Sequence, residues 1–143
     1  MSPTFQPGEL IVTSRYWSEP HELKRNQLII YQANGMVFDR VQLQGDHIQR
    51  ITALPGDTVT IENGIIHVNG IQVERDGRIS HTPVVQGSRP SFPLVVPENY
   101  LFVMGDNYAT SLDSRYFGPV ASSRVAYRPH FRISPFAKFG TID

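Results

Sequence analysis

The 143-residue chain has no cysteine, which removes disulfide bridges and any thiolate metal centre as a means of holding it together. It has two lysines, Lys24 and Lys138, so chemistry that needs a primary amine has two side chains to draw on. The histidines, His21, His47, His67, His81 and His130, are scattered without metal-ligand spacing, and neither a metal nor any other cofactor is expected. No run of about 18 apolar residues occurs, so no segment is expected to cross a bilayer as a helix. Thirteen basic side chains offset thirteen acidic ones, a balance that argues against nucleic acid as a partner.

What is present is 40% hydrophobic residues, enough to bury a core of normal size in one compact unit with a smaller lobe. Short runs rich in β-branched side chains predict strands at 9–13, 27–32, 37–43, 58–61, 65–68 and 100–104, separated by Gly, Asn or Pro turns. Glu62-Asn63-Gly64 and Val68-Asn69-Gly70-Ile71 carry tight-turn signals. Helix is expected only around 20–24, as a single turn. Residues 75–97, with Gly77, Pro83, Gly87, Pro90, Pro93 and Pro97, read as an irregular loop or flexible lobe. No internal repeat or low-complexity segment is found.

Two stretches look like architecture around a site. In residues 47–59, HIQRITALPGDTV, alternation puts His47, Gln49 and Ile51 on one face and Ile48, Arg50 and Thr52 on the other, before Leu54-Pro55-Gly56-Asp57 turns the chain. In residues 104–120, MGDNYATSLDSRYFGPV, an apolar run gives way to Gly105-Asp106-Asn107 and then to Ser111, Asp113, Ser114 and Arg115. Four hydrogen-bonding side chains in five residues fit either a self-capping turn at a corner of the fold or a functional loop.

The second stretch resembles the last box of the type I signal peptidases, the Ser/Lys proteases that remove signal peptides from exported proteins. IQRITALPGD resembles the box carrying their catalytic Lys, and MSPTFQPGELIV the nucleophile box, Ser-Met-x-Pro-Thr. LKRNQLIIYQ resembles the box between, and RISPFAKFGTI the closing Arg-x-x-Pro pattern. The boxes keep the family's order over nearly the whole chain. The resemblance implies an all-β signal peptidase/LexA-like fold: antiparallel sheets forming a catalytic-core-like domain from 1–58 and 98–143, with an inserted hairpin and loop lobe at 59–97. Self-cleaving repressors share that core but lack the last box.

Aligning the boxes exposes departures. Met1, Ser2, Pro3 and Thr4 match Met-x-Pro-Thr, so the nucleophilic Ser is expected just before Met1. Gln49 and Arg50 match the Lys-Arg pair, which puts an amide where the family has its base. Arg25-Asn26-Gln27 stands for Arg-Gly-Asp, and Tyr108 replaces a more usual Arg. A serine hydroxyl is a weak nucleophile until a base takes its proton, and Gln has no titratable nitrogen. Lys24 and Lys138 lie outside the matched box, and Arg50 stays protonated. His47, roughly 7 Å along the same face as Gln49, is the one alternative base; a groove or exposed role suits it better. Ser2, held by Pro3, reads as a cap or an unordered terminus. A triad from Asp46-His47 and Asp113-Ser114 is set aside because adjacent side chains in extended chain point apart.

The resemblance further implies that Ser111, Asp113, Arg115, Asp106, Asn107 and Arg50 support the site. Asp46, His47 and Ile48 would line a groove for extended peptide, with Met1 and Phe5 near the residue before the cut. The apolar surface at Phe5, Pro7, Tyr16 and Trp17 resembles the family's membrane-facing patch, though Tyr16 and Trp17 equally suit a core. The expected function is an extracytoplasmic signal-peptidase-like domain with a degenerate dyad. It would bind a preprotein signal segment, or a secretion or assembly partner, without efficient cleavage, and would reach the membrane surface through an N-terminal transmembrane anchor outside these residues. The alternative is a genuine type I signal peptidase, cleaving after Ala-x-Ala, that is truncated or inactivated by a Lys-to-Gln change.

Overall fold

The run Tyr100 to Met104 explains much of the architecture, because its alternate side chains are buried in two different places. A computed structural model describes residues 1–16, 22–75, 77–80, 90–134 and 140–142. Among them the strands are β1 (Leu10–Arg15), β2 (Leu28–Gln32), β3 (Val37–Phe38), β4 (Val41–Gln42), β5 (Asp46–Ala53), β6 (Thr58–Glu62), β7 (Ile65–Val68), β8 (Ile71–Gln72), β9 (Glu74–Arg75), β10 (Arg78–Ile79), β11 (Leu94–Val95), β12 (Tyr100–Met104), β13 (Val120–Ala121), β14 (Val125–Ser134) and β15 (Gly140–Thr141). The main sheet has the order β1-β14-β2-β5-β12-β13, with β15 on β14, and a second sheet has the order β11-β6-β7-β8. Leu101 and Val103 enter one core with Ile29, Tyr31, Ile51 and Val125, while Phe102 and Met104 enter the other with Val59, Ile66, Val68 and Val96. This is the period-two pattern of a strand buried on both faces. The expected all-β class of antiparallel sheets is what forms.

Both expected hairpin turns are made. Asn63 and Gly64 join Glu62 to Ile65, and Asn69 and Gly70 join Val68 to Ile71, with all four turn residues at positive φ. The strand expected over 37–43 is not continuous. Asp39 and Arg40 adopt φ of 48° and 65° and fold β3 back on β4; aspartate tolerates that conformation, but arginine does not advertise it. Residues 75–97 are not wholly irregular either: β10 pairs with β9 and β11 with β6. Residues 76 and 81–89 lie outside the described set, as do Pro20 and His21 of the turn expected at 20–24, Trp17 and Lys138.

The elements not anticipated include the helix α1 (Ser114–Phe117), a 3₁₀ turn at Ser122–Arg124, the short strands β13 and β15, and β14, at ten residues the longest strand among the described residues. Pro129 masks β14 in sequence, because proline cannot donate to a ladder. It is tolerated where the ladder with β1 skips a residue, between Thr13↔Pro129 and Val12↔Phe131. Tyr16 packs against the first core, while Pro7 is exposed and Phe5 partly so. No helix among the described residues is long and apolar enough to cross a membrane.

The Pro-Gly-Asp corner after β5 is fastened by Asp57. Its carboxylate accepts from Arg25 Nε at 2.8 Å, Arg25 Nη2 at 2.5 Å, the Leu54 N–H at 2.8 Å and Asn69 Nδ2 at 2.8 Å. Burial works against ionisation, but these hydrogen bonds and the Arg25 charge outweigh it and hold Asp57 below the usual carboxylate range. A depressed folded pKa stabilises fully above the unfolded value, about 4, and that contribution is lost as pH falls through the lower folded value. Asp57→Asn is therefore expected to cost about 1–3 kcal/mol near neutral pH. The variant should also lose less stability than the parent on acidification below about pH 4. Urea unfolding of both proteins at neutral and acid pH checks this; identical pH slopes would rule it out.

Candidate functional site

Where β12 ends, the chain passes through Gly105 into a polar turn beside β5. A Cβ on Gly105 would lie 2.1 Å from Ser111 Oγ and 3.8 Å from Met1 Sδ, so glycine is required for Ser111 to lie against the strand end. The Asn107 carbonyl accepts from the N–H groups of Thr110 and Ser111, at 3.3 and 3.0 Å, and so curls the loop back. Asp106 is 2% exposed and bonded on all sides. Arg50 Nε and Nη2 reach its two oxygens at 3.0 Å each, Thr4 Oγ1 donates to the same carboxylate, and Arg78 Nη1 donates to its backbone carbonyl at 3.1 Å. Two matched boxes and the N-terminal segment thus meet on one carboxylate.

Asp113 and Arg115 form a second pair, both with no exposed side-chain surface. Arg115 donates through Nε at 2.8 Å and Nη2 at 2.9 Å to the two Asp113 oxygens, a fork geometry that fits guanidinium to carboxylate. Asp113 also caps α1 by accepting from the Arg115 N–H, and takes the Gly105 N–H at 3.1 Å. Arg115 Nη1 holds the Tyr108 carbonyl at 2.7 Å, and Ser114 Oγ accepts from the Val103 N–H. The pair therefore ties α1, the turn and the end of β12 into one unit.

Gln49 projects into the space between β2 and the Ser111 loop and is 4% exposed. Its amide is satisfied at both ends: Tyr31 O–H donates to Oε1 at 3.0 Å, and Nε2 donates to the Leu112 carbonyl at 2.7 Å. Burial, with the Asp113 charge adding, raises the Tyr31 hydroxyl well above a phenol's usual pKa, so it keeps its proton and remains a donor. His47 lies along the same face, its ring 5.8 Å from that of Tyr31. Lys24 lies in another cleft, beside Arg25 and Arg128. Ser2 accepts from Gln6 Nε2 at 3.3 Å, in an ordered turn closed by the Phe5 N–H on the Met1 carbonyl. The described residues hold no group of three metal-ligating side chains.

Asp46, His47 and Ile48 pair with Gln32, Tyr31 and Ile30 on one side. On the other side β12 pairs with β5 only from Arg50 onward, so the edge of β5 at residues 46–48 bears no strand among the described residues. Met1 sits beside Gly105 at the end of that edge, whereas Phe5 is turned under the Arg132 guanidinium, 5.3 Å from its ring.

Sequence reasoning missed Tyr31, Thr4, Arg78 and Arg132. Tyr31 left a signal, since a lone tyrosine in the aliphatic run LIIYQ needs a partner for its hydroxyl once buried. Arg132 holds the N-terminal segment by an ion pair with Glu9 at 3.1 Å and a hydrogen bond to the Thr4 carbonyl. For Arg78 nothing local hinted at a role. The Arg25-Asn26-Gln27 departure is accommodated: Asn26 takes a left-handed φ of 68°, which asparagine tolerates best after glycine, and its carbonyl accepts from Arg50 Nη1 at 2.5 Å.

A family model described as signal peptidase, peptidase S26, matches residues 1–133. The chain belongs to that family. It is 29% identical to signal peptidase I of Bacillus caldolyticus over 150 aligned positions, which cover 97% of this chain and 77% of that protein. It is 26% identical to signal peptidase IB of Staphylococcus aureus over 152 positions, covering 97% and 75%. The crystal structure of a signal peptidase I from Enterococcus faecalis V583 matches with a TM-score of 0.50 and 26% identity, over 72% of this chain and 92% of that one. The signal peptidase I family is one of serine endopeptidases.

Proposed function

We propose that this chain is a signal-peptidase-like domain at the extracytoplasmic face of a membrane that grips an extended, signal-peptide-like segment or a secretion partner without efficient cleavage. The observation that carries this reading is Gln49. It stands at the position matched to the family's base, with both ends of its amide already bonded inside the fold. An amide neither accepts nor releases a proton near neutral pH, so no hydroxyl is activated there. The open edge of β5 at 46–48 supports the gripping half, because an extended segment can add to it by main-chain hydrogen bonds. Asp113–Arg115 and Asp106–Arg50 would then serve as scaffold for the groove, with the membrane reached through a segment preceding Met1.

A second reading, a genuine signal peptidase, draws on one observation: Met1 Sδ lies 3.8 Å from where a Cβ on Gly105 would sit, so the N-terminal segment passes close to the turn that carries Ser111. Isothermal titration of the chain with an extended signal-peptide analogue, followed by mass spectrometry of the peptide, separates the two. Saturable heat with the peptide intact is expected. Absence of heat would refute the gripping role, and cleavage by the unaltered chain would refute the inactive one.

A further inference from the structure

Away from the Gln49 site the main sheet parts. β14 pairs with β2 only at Val125↔Tyr31 and Tyr127↔Ile30, although β2 runs back to Leu28 and β14 runs on to Ser134. The next position on β14 that would face Leu28 is Pro129, which has no N–H to continue the ladder. The parting leaves a cleft of about 550 Å³ between residues 24–28 on one side and 128–131 with 141–142 on the other. Its walls carry Lys24, Arg25, Arg50, Arg128 and His130, and among the described residues no acidic side chain. In a chain whose formal charges sum to zero, that is a local concentration of one sign.

Two of these cations are already matched, Arg25 by Asp57 and Arg50 by Asp106. Lys24 and Arg128 are exposed and have no carboxylate partner among the described residues. His130 is held at the wall by Ser14, whose Oγ is 2.7 Å from its Nε2. Phe131, which lines the cleft, is 47% exposed, and its strand partner Val12, beside the cleft, is 43% exposed. Cations and exposed apolar surface side by side suit an anion carried on an organic group. The volume exceeds what an inorganic ion fills and lies in the range of small-ligand clefts.

We propose that this cleft is a binding site for a phosphate ester, its phosphate held by Lys24 and Arg128 and its carrier lying on Phe131 and Val12. The carrier is either a lipid, the phosphate being its headgroup, or a soluble molecule; the phosphate chemistry is common to both.

The test uses the whole chain and the doubly substituted chain K24Q/R128Q, whose changes are both at exposed positions. Inorganic phosphate is titrated while backbone amide resonances are followed. Saturable shifts confined to residues around Leu28 and Phe131 are expected, and the variant should need at least about tenfold more phosphate, the loss of one charge-assisted hydrogen bond. Shifts that do not saturate, or that are the same in both chains, would overturn the proposal. Sedimentation with phosphatidylglycerol vesicles, against phosphatidylcholine vesicles, then names the carrier. Extra binding to the anionic vesicles that the variant loses identifies a lipid headgroup, and equal vesicle binding by both chains, with the phosphate response retained, identifies a soluble ester. Circular dichroism of the variant guards against simple unfolding.

Discussion

Arg115→Ala is expected to cost about 3–5 kcal/mol, because it strands a buried carboxylate. Asp113 and Arg115 have no exposed side-chain surface, and the guanidinium also holds the Tyr108 carbonyl. Without it Asp113 keeps the Gly105 and Arg115 N–H groups but has no opposing charge. Domains of this size are stable by roughly 5–15 kcal/mol, so the change removes a large share of the total. In thermal unfolding the midpoint should fall by about 10–20 °C. Removing both partners, as Asp113→Leu with Arg115→Met, should cost less than Arg115→Ala alone, since no lone charge remains. A single substitution that shifts the midpoint by less than a few degrees would mean that water reaches Asp113.

The second expectation concerns chemistry. Placing a serine immediately before Met1 and changing Gln49 to Lys should produce cleavage of a signal-peptide substrate after Ala-x-Ala, about 10²–10⁴ above the chain with the serine alone. The amine would inherit a pocket that is 4% exposed, with the Leu112 carbonyl and the Tyr31 oxygen as neighbours. Desolvation there lowers a lysine's pKa toward neutrality, which is what a base for a hydroxyl needs. Either change alone should stay at background, because the members of a catalytic unit do not contribute additively. Liquid chromatography of the cleaved peptide against time provides the readout. Equal rates from the single and double changes would remove Gln49 as the reason for inactivity.

Much of this was legible in the order of residues, and the failures share a physical cause. Strands with aliphatic alternation and turns with Asn-Gly announce themselves locally, as 58–68 shows. The strand-rich character followed from such local patterns, and the boxes around Gln49 and Asp113 from their resemblance to those of the signal peptidases. What escaped depends on partners distant in sequence. β14 hides behind Pro129 because the tolerance for proline comes from a ladder irregularity opposite β1. Arg40 sits at positive φ in a tight turn because β3 and β4 are held together on either side of it. Thr4 and Arg78 reach Asp106 across 102 and 28 residues, a convergence that no window of sequence contains.

The placement of β12 between two cores has a consequence for how this domain can change over generations. Phe102 and Met104 belong to the smaller sheet's interior, yet they alternate with Leu101 and Val103 of the larger one and lead directly into Gly105. The smaller sheet is therefore no interchangeable cassette. Any graft or deletion that resizes it must also rebuild one wall of the main core, and with it the strand that delivers Ser111 and Asp113 to Gln49.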